Sequence, residues 1–172
     1  MSKFKILFID DEPNYVQEYV EYLQEFGVDV KLETTAEGAL AFIESHSDAV
    51  DAIVLDMMMP PGETYSAAST DDGLITGLRL YQDIREKCGP SLLITVLTNN
   101  TNHFLDEAVA RDPAIHIFRK VDVFYDEFCD ELFSLLITRS KPSQWANLYR
   151  KGIDICRGFP RRSFVDRCSF HC

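Results

Sequence analysis

The sequence predicts an α/β chain built as a doubly wound, five-stranded parallel sheet with helices on both faces. Three observations carry that expectation. Short β-rich runs alternate with longer runs of helical periodicity, the β-type runs are apolar on both faces, and most stop abruptly at polar residues. A strand that turns apolar side chains both ways has to be covered twice, and helical crossovers between parallel strands supply both covers.

The elements follow in order. Phe4–Ile9 reads as the first strand and stops at Asp10-Asp11-Glu12. Pro13 suits a first helical turn, where its missing N–H costs nothing. Tyr15, Val16, Tyr19, Val20, Leu23 and Phe26 recur at helical spacing, and Gly27 is the stop. Val28–Leu32 is the second strand, and Ala36–Glu44 is a helix with Ala39, Leu40 and Ile43 facing inward. Ala52–Leu55 is a wholly apolar third strand ending in Asp56. Leu78–Arg85 is helical, and Leu92–Leu97 is the fourth strand, closed by Thr98. His103–Ala110 is expected as a helix, and Ala114–Phe118 as a fifth strand that ends near Lys120. Val123–Ile137 is the last helix of the repeat, with Phe124, Phe128, Leu132 and Leu135/Leu136 inside.

Two segments break the alternation. Pro61–Asp72 has loop composition, and it is longer than the ~2–6 residues usual between a strand and a helix. Its place directly after the turn at Asp56–Pro60 makes it a candidate flap over Asp56; the alternative is a mobile surface loop. Residues 141–172 hold Trp145, Leu148, Tyr149 and Ile153 on roughly one helical face before turning irregular and basic. They form an extension too short for a core of its own, expected to pack back on the domain or on a second copy. The organisation is therefore a domain over residues 1–140 and an extension over 141–172.

Composition narrows the partners. The chain has 172 residues and a net charge of −11; residues 1–140 carry 10 Lys/Arg against 26 Asp/Glu, and residues 141–172 carry 7 against 2. An acidic body argues against direct nucleic-acid binding, which needs clustered cations to neutralise phosphates. No apolar run approaches the ~20 residues that cross a bilayer, and the N-terminus meets a carboxylate too early for a secretory leader. A cytoplasmic location without membrane contact is the expectation. Five cysteines (Cys88, Cys129, Cys156, Cys168 and Cys172) are an odd set without a Cys-x-x-Cys pair, so reduced thiols rather than disulfides or zinc are expected.

In parallel α/β sheets, chemistry gathers outside the carboxyl ends of the strands. Asp10, Asp11, Asp56, Thr98 and Lys120 all fall there. Carboxylates converging within ~5 Å repel by ~3 kcal/mol per pair at an effective dielectric near 20, so they call for a cation. All-oxygen ligands with room for water favour Mg²⁺. A lysine ammonium and a threonine hydroxyl suit the remaining oxygens of a phosphoryl group, which an aspartate in such company can accept.

These residues resemble the receiver domain of two-component response regulators over roughly residues 3–140. The matching pieces are Ile-Leu-Phe-Ile-Asp10-Asp11-Glu12-Pro13, Ile-Val-Leu-Asp56-Met-Met-Met-Pro60, Gly77-Leu-Arg-Leu-Tyr-Gln-Asp-Ile-Arg85, Leu-Thr98 and Lys120. The resemblance implies a flavodoxin-like strand order, 2-1-3-4-5. It implies that Asp56 takes a phosphoryl group from a histidine kinase or histidine phosphotransfer protein. Asp10, Asp11, Asp56 and the Met58 carbonyl would hold Mg²⁺, Thr98 would hydrogen-bond the phosphoryl oxygen, and Lys120 would pair with its charge. The output would be altered contact with a downstream protein target, possible homodimer formation included, and not dedicated enzyme turnover.

The chain also departs from that family. Val121 stands where proline usually follows the lysine, commonly after a cis bond that costs ~2.5–4 kcal/mol without proline. Ile117 occupies the place of the switch aromatic, with Phe118 one position off, and Asn99 replaces a small residue beside Thr98. Two other readings stay open. One is a phosphatase of the haloacid-dehalogenase-like class with Asp10 as nucleophile, although Glu12 stands where that class places aspartate. The other is a degenerate receiver that serves only as an interaction module.

Overall fold

The computed structural model describes residues 4–99, 112 and 115–139. The expected helix over His103–Ala110 and the whole extension over 141–172, with its tail cysteines, lie outside the described residues. Met1–Leu136 form one compact unit.

Five parallel strands make the sheet: β1 (Lys5–Ile9), β2 (Asp29–Glu33), β3 (Ala52–Leu55), β4 (Leu93–Thr98) and β5 (Ile115–Arg119), in the order β2-β1-β3-β4-β5. This is the order 2-1-3-4-5 expected from the sequence. The helices are α1 (Pro13–Glu25), α2 (Ala36–His46), α3 (Ala67–Thr70), α4 (Thr76–Cys88) and, after the undescribed stretch, α5 (Tyr125–Arg139). Pro13 opens α1, and Gly27 takes the left-handed φ of +82° that releases the chain toward β2. Thr35 caps α2 by accepting from the Gly38 N–H at 3.1 Å.

Strand alternation splits the interior into two layers. Leu7, Ile9, Ile53, Leu55, Ile94 and Val96 face α2 and α4, where they meet Ala39, Ile43, Leu80 and Ile84. Ile6, Phe8, Ala52, Val54, Leu93 and Leu97 face α1 and α5, where they meet Val16, Leu23, Phe128 and Leu132. The second layer is rich in rings: Tyr19 and Phe128 meet edge to face at 5.6 Å, and Phe118 and Phe128 at 5.2 Å.

Two residues expected inside are outside. Tyr15, in the first turn of α1, is 72% exposed, because the buried stripe runs through Val16, Tyr19, Val20 and Leu23. Phe124 is 75% exposed, because α5 starts one residue later and its buried stripe begins at Phe128.

The Pro61–Asp72 segment also differs from the expected loop. It contains the single turn of α3, where the Ser66 hydroxyl accepts from the Ser69 N–H at 3.2 Å and Thr70 is fully buried. It is fastened to two helices. The Glu63 and Thr64 N–H groups donate to Glu37 Oε1 on α2 at 2.5 and 2.7 Å. The Tyr65 hydroxyl donates to Asp83 Oδ2 on α4 at 2.5 Å, and Arg79 Nε donates to the Ser69 carbonyl at 3.1 Å.

Candidate functional site

The sheet itself aims the site. Beyond the last residues of the strands, backbone pairing continues for one more step: Asp10 N–H to the Glu33 carbonyl at 3.1 Å, Asp56 N–H to Ile9 at 2.9 Å, and Lys120 N–H to Thr98 at 3.1 Å. Asp10 and Asp56 are thus held at the ends of the adjacent strands β1 and β3, and Lys120 at the end of β5 beyond β4, all at one edge of the parallel sheet.

Each of the two buried carboxylates divides its oxygens in the same way. Asp10 Oδ1 accepts from the Glu12 N–H at 3.0 Å, and Asp56 Oδ1 accepts from the Met58 N–H at 3.2 Å. The other oxygen of each faces Lys120 Nζ, at 2.7 Å for Asp10 and 2.8 Å for Asp56. Asp11 completes the cluster, with carboxylate oxygens of all three aspartates within 4.8 Å of one another. With the three ionised, one ammonium leaves the site at −2.

Burial and neighbouring charge shift the protonation of Asp10, Asp11 and Lys120. Desolvation raises the Asp10 carboxyl above its ordinary range despite the pull of Lys120. Desolvation also raises Asp11, with the Asp56 and Glu12 charges adding to it. For Lys120 burial favours the neutral amine, but the bonds and charges of Asp10 and Asp56 together outweigh it, and the ammonium is strengthened.

A cavity of about 270 Å³ opens over the cluster, lined by Asp11, Glu12, Asp56, Met58, Asn99 and Lys120. Asp10 is fully buried and does not line it, so of the two aspartates fixed by Lys120 only Asp56 presents itself to a reactant. Thr98 is the fully buried last residue of β4. Met58 is 39% exposed at the cavity wall. None of residues 61–72 lines the cavity, so the segment is not seated there as a flap.

The departures at the fifth strand have a plain geometry. The described residues contain no cis peptide, and Val121 is 76% exposed in a turn closed by the Asp122 N–H on the Arg119 carbonyl. Ile117 packs on the α2/α4 layer, whereas Phe118, one residue on, faces the α1/α5 layer.

Sequence reasoning gave Gly77 no role, yet it backs the site. A Cβ placed on Gly77 would collide with the Asp56 carbonyl oxygen and Met57 Cα, and its N–H donates to the Met57 carbonyl at 3.0 Å. Glu12 at the cavity wall was also unassigned. A glycine opening a helix behind a strand end was the available signal for the first; the second was visible only as the third acidic residue after the first strand.

No protein-family model matches the chain, and no curated protein matches it by sequence. Solved structures do match. A CheY-like response regulator receiver domain from Methanospirillum hungatei superposes with a TM-score of 0.64 at 17% identity, over 80% of this chain and 97% of its own. A two-component response regulator from Clostridium difficile gives 0.63 at 19% identity, over 81% and 100%. The response regulator TrrA from Thermotoga maritima, in complex with Mg²⁺-BeF, gives 0.57 at 28% identity, over 77% and 98%.

This chain has the response regulator receiver fold. Its five-stranded order and the helices on both faces coincide with that fold. Within the receiver fold, the cluster of Asp10, Asp11, Asp56 and Lys120 occupies the carboxyl edge of the sheet. Among the described residues no helix is long and apolar enough to cross a membrane.

Proposed function

We propose that this chain is a phosphorylatable receiver in two-component signalling, with Asp56 as the phosphoacceptor. The observation that carries the reading is the position of Asp56: it faces a polar cavity, with one oxygen oriented by the Met58 N–H and the other against Lys120. In the reaction, an Asp56 carboxylate oxygen attacks the phosphorus of a phosphohistidine on a histidine kinase or histidine phosphotransfer protein. A P–O bond forms, the P–N bond breaks, and the departing imidazole nitrogen takes up a proton. Lys120 keeps its ammonium throughout and neutralises charge on the incoming group, and the Thr98 hydroxyl, buried at the end of β4, swings toward the cavity to donate to a phosphoryl oxygen.

The donor set suits a hard divalent cation, since it is all oxygen and carries a net −2 beside an open cavity. Asp10, Asp11, Asp56 and the Met58 carbonyl would hold Mg²⁺, which when bound supplies neutralisation of the phosphoryl oxygens. The product is an acyl phosphate on the protein, and the chain acts as a cytoplasmic switch for a downstream protein, not as a dedicated enzyme.

Incubation with acetyl phosphate and MgCl₂ followed by intact-protein mass spectrometry tests the reading. One phosphate adduct is expected, absent in Asp56→Asn. An adduct retained by Asp56→Asn and lost in Asp10→Asn would move the nucleophile to the first strand. No adduct under any condition would leave an interaction module.

A further inference from the structure

We propose that the segment 61–73 is a fixed brace for the phosphoacceptor turn, with Glu37 and Tyr65 as the positioning residues that hold it. The inference rests on the reading of Asp56 as phosphoacceptor and adds an element that acts on Asp56 without touching the reactants.

The argument runs along two consecutive amides. The Met58 N–H donates to Asp56 Oδ1 at 3.2 Å and so orients the reactive carboxylate. The next amide, Met59 N–H, donates to the carbonyl of Gly73 at 3.2 Å, at the exit of the segment. The two donors are one residue apart, so a shift of Gly73 is passed to the peptide that aims Asp56. Gly73 is seated tightly there: a Cβ on it would stand 2.8 Å from the Met59 carbonyl oxygen. Asp71, Asp72 and Gly73 turn the chain into this place with three successive left-handed residues, at φ 52°, 52° and 100°. Such a run persists only where its surroundings over-determine it.

The surroundings are the anchors at the other end. Glu37 Oε1 accepts from both the Glu63 and Thr64 N–H groups, a charge-assisted pair on one oxygen. Gly62 has a φ of +64° and lies so close over the Glu37 carboxylate that a side chain there would displace it. Tyr65 packs its ring on the α2/α4 layer and donates its hydroxyl to Asp83. Buried Thr70 donates to the Ser66 carbonyl at 3.1 Å, closing α3 between the two ends. The segment therefore reaches from α2 and α4 to the turn after β3 in one hydrogen-bonded chain, with the cavity left open.

The test compares Glu37→Ala, Glu37→Gln and Tyr65→Phe with wild type. Two quantities are read: amide exchange at Met58 and Met59 by NMR in metal-free protein, and the half-life of the phosphoryl adduct formed from acetyl phosphate and MgCl₂. Glu37→Ala is expected to speed Met59 exchange at least tenfold and to change the adduct half-life at least threefold. Glu37→Gln, which keeps an accepting oxygen, is expected to restore most of both, and Tyr65→Phe to give an intermediate effect. Val20→Ala, in the opposite layer, serves as the control for general loosening and is expected to change neither. Unchanged Met59 exchange and an unchanged half-life in both Glu37→Ala and Tyr65→Phe would overturn the brace. Absence of any adduct in wild type would instead refute Asp56 as phosphoacceptor, while the exchange data still decide whether the segment holds the turn.

Discussion

Replacing Asp11 by Asn should have opposite effects with and without a divalent cation. Asp11 lies with Asp10 and Asp56 in a cluster whose oxygens fall within 4.8 Å of one another. At that distance and an effective dielectric near 20, two carboxylates repel by about 3 kcal/mol. Lys120 contacts Asp10 and Asp56, and for Asp11 it is the weakest influence. Asp11 is partly exposed, so solvent reduces the repulsion to about 1–2 kcal/mol. In chelator, Asp11→Asn should be more stable than wild type by that amount in urea titrations followed by far-UV circular dichroism. In Mg²⁺ at 100 times the dissociation constant, wild type should gain about 2.7 kcal/mol, and the variant should gain far less. The pH dependence has a definite sign. The folded-state pKa of Asp11 is raised from 3.8, so its contribution to stability is fully present below 3.8 and is lost as pH rises through the folded value. The advantage of the variant in chelator should therefore vanish below pH 3.8 and be complete above the raised pKa. A variant no more stable than wild type in chelator at neutral pH, with an undiminished response to Mg²⁺, would refute the cluster.

Three further outcomes follow from the same geometry. Gly77→Ala drives a methyl group into the Asp56 backbone. It should lower the unfolding free energy by about 2–3 kcal/mol, read as the urea midpoint, and weaken adduct formation. Thr95 is fully buried in β4 with no partner for its hydroxyl, so Thr95→Val should raise stability by about 1 kcal/mol in the same assay. Cys129 is fully buried, and its thiol is pushed up by burial and by the Asp130 and Asp126 charges, whereas Cys88 is half-buried. Alkylation of native protein followed by peptide mapping should modify Cys88 and spare Cys129 until the chain unfolds.

The sheet was legible because its strands announce themselves twice, by apolar runs and by abrupt acidic or polar ends. Ala52–Leu55 coincides with its observed bounds, and the other strands shift by only one residue. The site was legible for the same reason, since Asp10, Asp56 and Lys120 are the residues directly after strands. The order within residues 61–72 was not. Their Ser, Thr and Asp composition reads as loop, and what orders them is remote: Glu37 and Asp83 lie more than a dozen residues away and carry no periodic signal. Phe124 was misplaced because a helical stripe was extended across a helix start, where the backbone has not yet turned.

The central sheet separates two interiors that share no side chain, one mostly aliphatic beneath α2 and α4, the other richer in rings beneath α1 and α5. Substitutions on opposite sides should combine additively, since no common neighbour couples them. Evolutionary drift or redesign can therefore rewrite the ring-rich half while leaving the half that carries the 61–72 segment in its original packing.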